Sequence, residues 1–295
     1  MTATPFGRVL TAMVTPFDAA GGLDLDGVVA LAEHLVAQGN DGLVVNGTTG
    51  EAPTTTREEK AAVVRAVVDA VGDRAHVLAG VGSNDTAHSV DLAQDAAKAG
   101  ATGLLAVTPY YSKPPDAGVL AHTERVADST DLPVMLYDIP GRTGLALSHE
   151  VLVRLAAHPR IVAVKDAKDD LVATARLLAV TDYAVYSGTD ALNLPLLSIG
   201  AVGAVSVVSH VATPQIVAQV EAFLAGDVTR AQNLNRQLQP AYTGLFRTQG
   251  AILAKAALGL LGLPAGPCRL PLVDATAEQL AVLTQDLVAA GLLVP

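Results

Sequence analysis

The chain has no tryptophan, four phenylalanines and six tyrosines among its 295 residues. With so few rings, Ala, Val and Leu must fill any core, which suits many small helix–strand contacts better than a sandwich of bulky side chains. Cysteine is as scarce. Cys268 stands alone, so an intrachain disulfide framework is excluded and a reducing compartment fits. Cations are short as well: 19 Lys and Arg against 29 Asp and Glu give a formal charge of −10. The basic residues are scattered singly, which argues against nucleic acid or an anionic membrane as partner. The first residues, MTATPFGRVLTAMVTPF, lack a basic stretch followed by a long apolar one and a small-residue cleavage site. No apolar run approaches the length of a membrane span. A cytoplasmic location is expected.

Several chemical signatures are missing too. There is no GxxxxGK[ST] and no GxSxG, and Gly80-Val81-Gly82 lacks the third glycine of a dinucleotide fingerprint. The seven histidines show neither HxH nor HxxxH spacing, so a zinc site is not expected, and no cofactor is implied. His210 reads as structural.

What is present is apolar material, 51% of the chain, in a regular alternation. Short runs at 9–15, 43–45, 77–81, 104–107, 134–137, 161–164, 184–186 and 204–208 read as eight buried strands. Helical stripes separate them. Thr56 and Glu59 stand in capping-box spacing before Val64, Val67, Val68 and Val71, and Ser148 can cap the helix carrying Val151, Leu152 and Leu155. After a helix at about 215–224 no strand signal returns, and 227–238, 249–261 and 276–290 are helical in pattern. The expected fold is α/β: a closed (β/α)8 TIM barrel over residues 1–226, followed by an all-helical extension over 227–295. A doubly wound open sheet is the alternative, but it would space its helices less regularly.

In such a barrel the chemistry sits at the C-terminal ends of the strands. That short list holds Thr48, Thr49, Tyr110, Tyr111, Tyr137, Arg142, Lys165, Gly188 and Val205. Of the six lysines (Lys60, Lys98, Lys113, Lys165, Lys168 and Lys255), only Lys165 terminates a buried strand. Burial lowers an ammonium's pKa until the neutral amine is accessible, and a neutral amine attacks ketones to form imines. The alternative is a strand-end lysine snorkelling to solvent. Tyr137 would sit beside it and relay protons with Thr48 or Thr49, or else be a rim tyrosine bonded to a loop. Arg142 offers a planar fork for a carboxylate, or is a turn arginine at the surface. Gly47-Thr48-Thr49-Gly50 supplies amides and hydroxyls for a carboxylate, or simply enters a helix. Lys255, in an apolar stretch of the extension, reads as a snorkelled or paired structural lysine.

Six stretches, GTTGE (47–51), TPYY (108–111), LYDIPGRTG (136–144), VKDA (164–167), SGTDAL (187–192) and RLPL (269–272), together resemble the dihydrodipicolinate synthase family of Schiff-base lyases and aldolases. The resemblance implies a (β/α)8 barrel, assembled as a homotetramer (a dimer of dimers), that condenses pyruvate with L-aspartate 4-semialdehyde to 4-hydroxy-tetrahydrodipicolinate on the way to lysine. It implies that Lys165 forms the pyruvate imine and that Tyr137 is the general acid–base. Thr48 and Tyr111 would complete a proton relay, with Tyr111 reaching in from a neighbouring subunit. Thr49 would bind the pyruvate carboxylate and Arg142 that of the semialdehyde, while Gly188 and Val205 would line the lysine. Aldolases of 2-keto-3-deoxy sugar acids and N-acetylneuraminate lyases share Lys165 and Tyr137, and Arg142 is what separates this chain from the latter. A barrel that only senses a keto acid is a further alternative. Two departures stand out. Thr189 replaces the first Asp of the usual Ser-Gly-Asp-Asp, with Asp190 kept. Arg57, Lys60 and His88 replace the His, His and Glu of lysine-inhibited members, although Asn84 and Tyr110 remain, so weak or absent lysine feedback is expected.

Overall fold

Every expected strand forms, because each is a short β-branched or leucine-rich run that can be buried on both faces. In the computed structural model, which describes residues 4–294, the strands are β1 (Val9–Ala12), β2 (Gly42–Val45), β3 (His76–Gly80), β4 (Gly103–Val107), β5 (Val134–Asp138), β6 (Ile161–Asp166), β7 (Ala184–Ser187) and β8 (Gly203–Ser206). Residues 1–3 and 295, the outer ends of the two expected segments, lie outside that range. Each strand pairs in parallel with the next, and β8 returns to β1 to close the barrel. The closing seam is tight: a Cβ on Gly203 would lie 1.9 Å from the Arg8 carbonyl oxygen. Several strands are shorter than their apolar runs. Val14 and Thr15, and likewise Val207 and Val208, lie beyond the paired strand residues yet stay buried.

The register of β5 on β6 is irregular, and the irregularity decides which side chains meet at the barrel mouth. Val134 faces Ile161, but Met135 faces Ala163, so Val162 is an extra residue in β6. The slip brings Lys165 level with Tyr137. An unbroken register would have set Tyr137 against Val164 and Lys165 against Asp138, because a one-residue shift exchanges the two faces of a strand.

Helices α1 (Leu25–Ala37), α2 (Arg57–Val71), α3 (Thr86–Lys98) and α4 (Asp116–Ala127) follow the first four strands. α2 opens with the Thr56–Glu59 capping box and buries Val63, Val64, Val67 and Val71, whereas Val68 is only half-buried. A single turn, α5 (Pro140–Thr143), lies in the Gly-Arg-Thr-Gly loop where the sequence indicated no helix, ahead of α6 (His149–Leu155), capped by Ser148. Then come α7 (Leu171–Leu178), α8 (Asn193–Ser198) and α9 (Ser209–Leu224). α9 starts earlier than expected and kinks at Ala212, just before Pro214, whose ring lacks the N–H needed to continue the helical ladder.

The extension consists of α10 (Val228–Gly244), α11 (Gly250–Leu260) and α12 (Ala277–Ala289), the last with the Thr276–Gln279 capping box. α10 packs on α9 and α12. Leu238, Tyr242, Leu253 and Leu283 belong to the same buried cluster as the barrel strands, so one core runs through both segments. No helix among the described residues is long and apolar enough to cross a membrane.

Candidate active site

β5 and β6 deliver the central pair. The ammonium nitrogen of Lys165 lies 4.2 Å from the centre of the Tyr137 ring. Both side chains are buried, Lys165 to 4% exposure and Tyr137 to 5%. Burial lowers the Lys165 pKa to about 8; the Asp190 carboxylate opposes the fall and the Arg142 cation adds to it. Burial raises the phenol of Tyr137 to about 12, against the opposing influences of the Arg142 charge and the Thr48 side chain. At neutral pH the amine therefore has an accessible neutral form, while its neighbour keeps a proton to give. A nucleophile and a proton donor stand side by side.

The pair opens into a cavity of about 540 Å³ whose wall includes Thr48, Thr49, Arg142 and Gly188. Arg142 is exposed and set on α5, the turn after β5, so its guanidinium faces the pocket from the rim. Space at Gly188 is tight: a Cβ there would lie 3.0 Å from Cγ of Lys165 and from the Asp166 carbonyl oxygen. Two residues singled out from the sequence do not line this cavity. Val205 is buried in β8 and does not reach the cavity wall, where Val207 stands instead. Tyr111 is 87% exposed, has a left-handed backbone (φ +70°) and lines neither this cavity nor its neighbour.

Other wall residues are not among the strand-end candidates, and their partners are visible only in the fold. Asp190 is fully buried and accepts from the Ser206 hydroxyl and from the N–H groups of Val207 (2.9 Å) and Val208 (3.1 Å), which fixes the loop after β8. Its neighbour Thr189 donates to Asp169 at 2.7 Å. The far wall comes from the extension, through Tyr242, Phe246 and Gly250. His210 is structural, as expected: it accepts the Val14 N–H at Nε2 (3.1 Å), and its Nδ1 is 2.7 Å from the Val207 carbonyl. No cluster of three or more metal-ligating side chains exists among the described residues.

A second cavity, of about 420 Å³, shares Thr48, Tyr137, Ile139 and Arg142 with the first. Lys60, His88 and Tyr110 line it and no carboxylate does. The Lys60 ammonium is already engaged by the Ala52 carbonyl (2.7 Å), the Thr55 carbonyl and the Thr55 hydroxyl (2.7 Å). Arg57 turns away to pair with Asp91 and Asp95, and neither it nor Asn84 reaches the wall.

A buried amine of lowered basicity beside a phenol, at the C-terminal mouth of a closed (β/α)8 barrel, is the arrangement of lyases and aldolases that work through a lysine imine. The Dihydrodipicolinate synthetase family model matches residues 5–290. The chain belongs to that family. A relative from Acidothermus cellulolyticus named 4-hydroxy-tetrahydrodipicolinate synthase is 67% identical over 287 residues, covering 97% of this chain and 93% of the relative. One from Streptomyces coelicolor, named 4-hydroxy-tetrahydrodipicolinate synthase 2, is 61% identical over 288 residues, 98% of this chain and 96% of its own. The crystal structure of the Cyanidioschyzon merolae enzyme with lysine bound superposes with a TM-score of 0.96 at 45% identity, over 99% of this chain and all (100%) of the other.

The balance of charges around Lys165 has a direct consequence. Competitive labelling of the amine across pH should give a Lys165 midpoint near 8, not near the ordinary 10.5. Replacing Arg142 with Leu removes a cation and should move that midpoint up, whereas Asp190→Asn should move it down. A wild-type midpoint at the ordinary lysine value would contradict the dry site.

Proposed function

We propose that the chain is a lyase that condenses pyruvate with L-aspartate 4-semialdehyde to 4-hydroxy-tetrahydrodipicolinate, through an imine on Lys165. The observation that carries this reading is the Lys165–Tyr137 pair, 4.2 Å from nitrogen to ring centre, opening into a cavity that also holds Arg142. Names of relatives at 67% and 61% identity support the same activity. Residues 1–226 are taken as the catalytic barrel and 227–295 as its extension, acting in the cytoplasm.

In this reading the neutral amine of Lys165 attacks the ketone carbon of pyruvate, and the carbinolamine loses water to give the imine. Tyr137 supplies the proton for that departure and, with Thr48, takes one from the pyruvate methyl group to leave an enamine. Thr49 holds the pyruvate carboxylate. Arg142 holds the semialdehyde carboxylate so that the enamine carbon meets the aldehyde carbon, forming the new C–C bond. The amino group of the adduct then displaces Lys165, which closes the ring and frees the enzyme. Gly188 keeps the lysine stem in place, with Val205 in the strand beneath.

Tyr111 fits this scheme only across a subunit boundary. Its surface position (87% exposed) suits a residue that completes the relay of a neighbouring subunit in a dimer, with two dimers forming the homotetramer. The acid-free second cavity suits weak or absent lysine feedback, since an effector ammonium would meet Lys60 and His88 and find no carboxylate.

An assay that couples product formation to a reporter should show turnover with pyruvate plus aspartate semialdehyde, undiminished by sub-millimolar lysine. It should show none with N-acetylneuraminate or 2-keto-3-deoxy sugar acids. Turnover of the sugar acids alone would overturn the synthase reading, and inhibition by lysine would overturn the reading of the second cavity. For the shared relay, Tyr111→Phe and Lys165→Ala should each be nearly inactive alone, the former by about 100-fold or more. Mixed and reassembled, they should regain activity, because a mixed dimer holds one intact site. Failure to complement would place Tyr111 outside the neighbour's site.

A further inference from the structure

The GTTGE and RLPL stretches contain two charged residues that the proposed mechanism does not use, Glu51 and Arg269. Both converge on the surroundings of Lys255, the lysine of the apolar α11. Glu51 follows the Thr48–Thr49 loop directly and is 2% exposed. Its Oε1 is 2.6 Å from the Lys255 ammonium, an ion pair whose side chains are 0% and 3% exposed. Its Oε2 accepts the backbone N–H of Arg269 at 2.8 Å. The Lys255 ammonium also donates to the Pro267 carbonyl (2.8 Å) and sits 4.2 Å above the centre of the Phe17 ring.

Arg269 completes the bracket from the other side. Its guanidinium donates to the carbonyls of Gly21 (2.8 Å) and Thr54 (2.9 Å) and grips the Glu59 carboxylate with two bonds, of 2.8 and 2.6 Å. The guanidinium carbon lies 4.0 Å from the centre of the same Phe17 ring. Lys255 and Arg269 thus fasten the segment from Glu51 to Glu59, and with it the loop that carries Thr48 and Thr49, to the helical extension. The fastening is local to that loop: the Glu51 N–H bonds the Thr48 carbonyl (3.2 Å) and the Ala52 N–H bonds that of Gly47 (3.3 Å). Glu51 has φ +55°, a left-handed conformation that a residue with a side chain keeps only when its surroundings hold it there.

We propose that Glu51, Lys255 and Arg269 are positioning residues through which the helical extension sets the geometry of the Thr48–Thr49 loop, and thereby the grip on the carboxylate of the first substrate. The proposal rests on the proposed function, in which Thr49 binds that carboxylate. A buried ion pair that loses one member leaves an uncompensated charge in a dry site. With Lys255 gone, the Glu51 carboxylate can regain water only by drawing its own segment outward, and that movement passes straight to Thr48 and Thr49.

The test is steady-state kinetics of the full chain as Lys255→Met, Glu51→Gln, the double variant, Arg269→Lys and Thr49→Val, with thermal midpoints measured alongside. Lys255→Met should raise KM for pyruvate about tenfold or more and leave KM for the semialdehyde within about twofold. The double variant, which buries no lone charge, should recover part of that loss. Arg269→Lys, at a half-buried position and expected to fold, should shift KM for pyruvate in the same direction, and it carries the test if Lys255→Met does not fold. Variants that lower only the thermal midpoint, with KM for pyruvate unchanged, would overturn the proposal and leave a purely structural bracket. If Thr49→Val itself leaves KM for pyruvate unchanged, the site reading fails and the proposal falls with it. If Thr49→Val raises it and the bracket variants do not, the coupling alone fails.

Discussion

The site depends on keeping one ammonium dry. Lys165 ends a strand buried on both faces, and burial is the largest influence on its basicity. Desolvation of a charge is unfavourable, so other interactions must offset it to hold the lysine where it is. A closed barrel does this well: the neighbouring strands leave no edge through which water can reach the stem, and the amine can emerge only at the C-terminal mouth. Two neighbouring groups then tune it. Asp190 favours the ammonium and Arg142 disfavours it, and each has a second task. Asp190 ties down the loop after β8, and Arg142, on the cavity rim, is the cation proposed to meet a substrate carboxylate.

The same burial acts with opposite sign on Tyr137. It disfavours phenolate as it disfavours ammonium, so one dry environment lowers the basicity of the amine and keeps the phenol protonated. No separate device is needed for either. What is needed is alignment, and the extra residue in β6 provides it by setting Lys165 opposite Tyr137. Bulges recur beside active sites for this reason: one inserted residue re-aims every side chain beyond it.

Much of this was legible in the sequence, and the parts that were not share a cause. The eight runs, the capping boxes at Thr56 and Thr276 and the lone strand-end lysine are local patterns, and local patterns survive folding. The bulge at Val162 is a relation between two strands, and nothing within 161–166 announces it. Asp190 was visible within SGTDAL, but its hold on Val207 and Val208 depends on how β7 and β8 pack. Lys255 could be read as a paired lysine without its partner being named, because Glu51 lies far off along the chain and meets it only once folded. Tyr242 and Phe246 reach the cavity for the same reason, since the extension folds back over the barrel mouth. The late start expected for α9 and the missing expectation of α5 involve proline: Pro214 follows a kink inside α9, and Pro140 sits in the first turn of α5, where its lack of an N–H costs nothing.

The central claim is that Lys165 becomes covalently bound to the first substrate. Borohydride reduction in the presence of pyruvate, followed by peptide mapping, tests it most directly. The account predicts a single reduced pyruvate adduct on the peptide carrying Lys165, absent in Lys165→Ala and forming faster as pH rises through about 8. An adduct on another lysine, or none at all in an enzyme that still turns over, would contradict it.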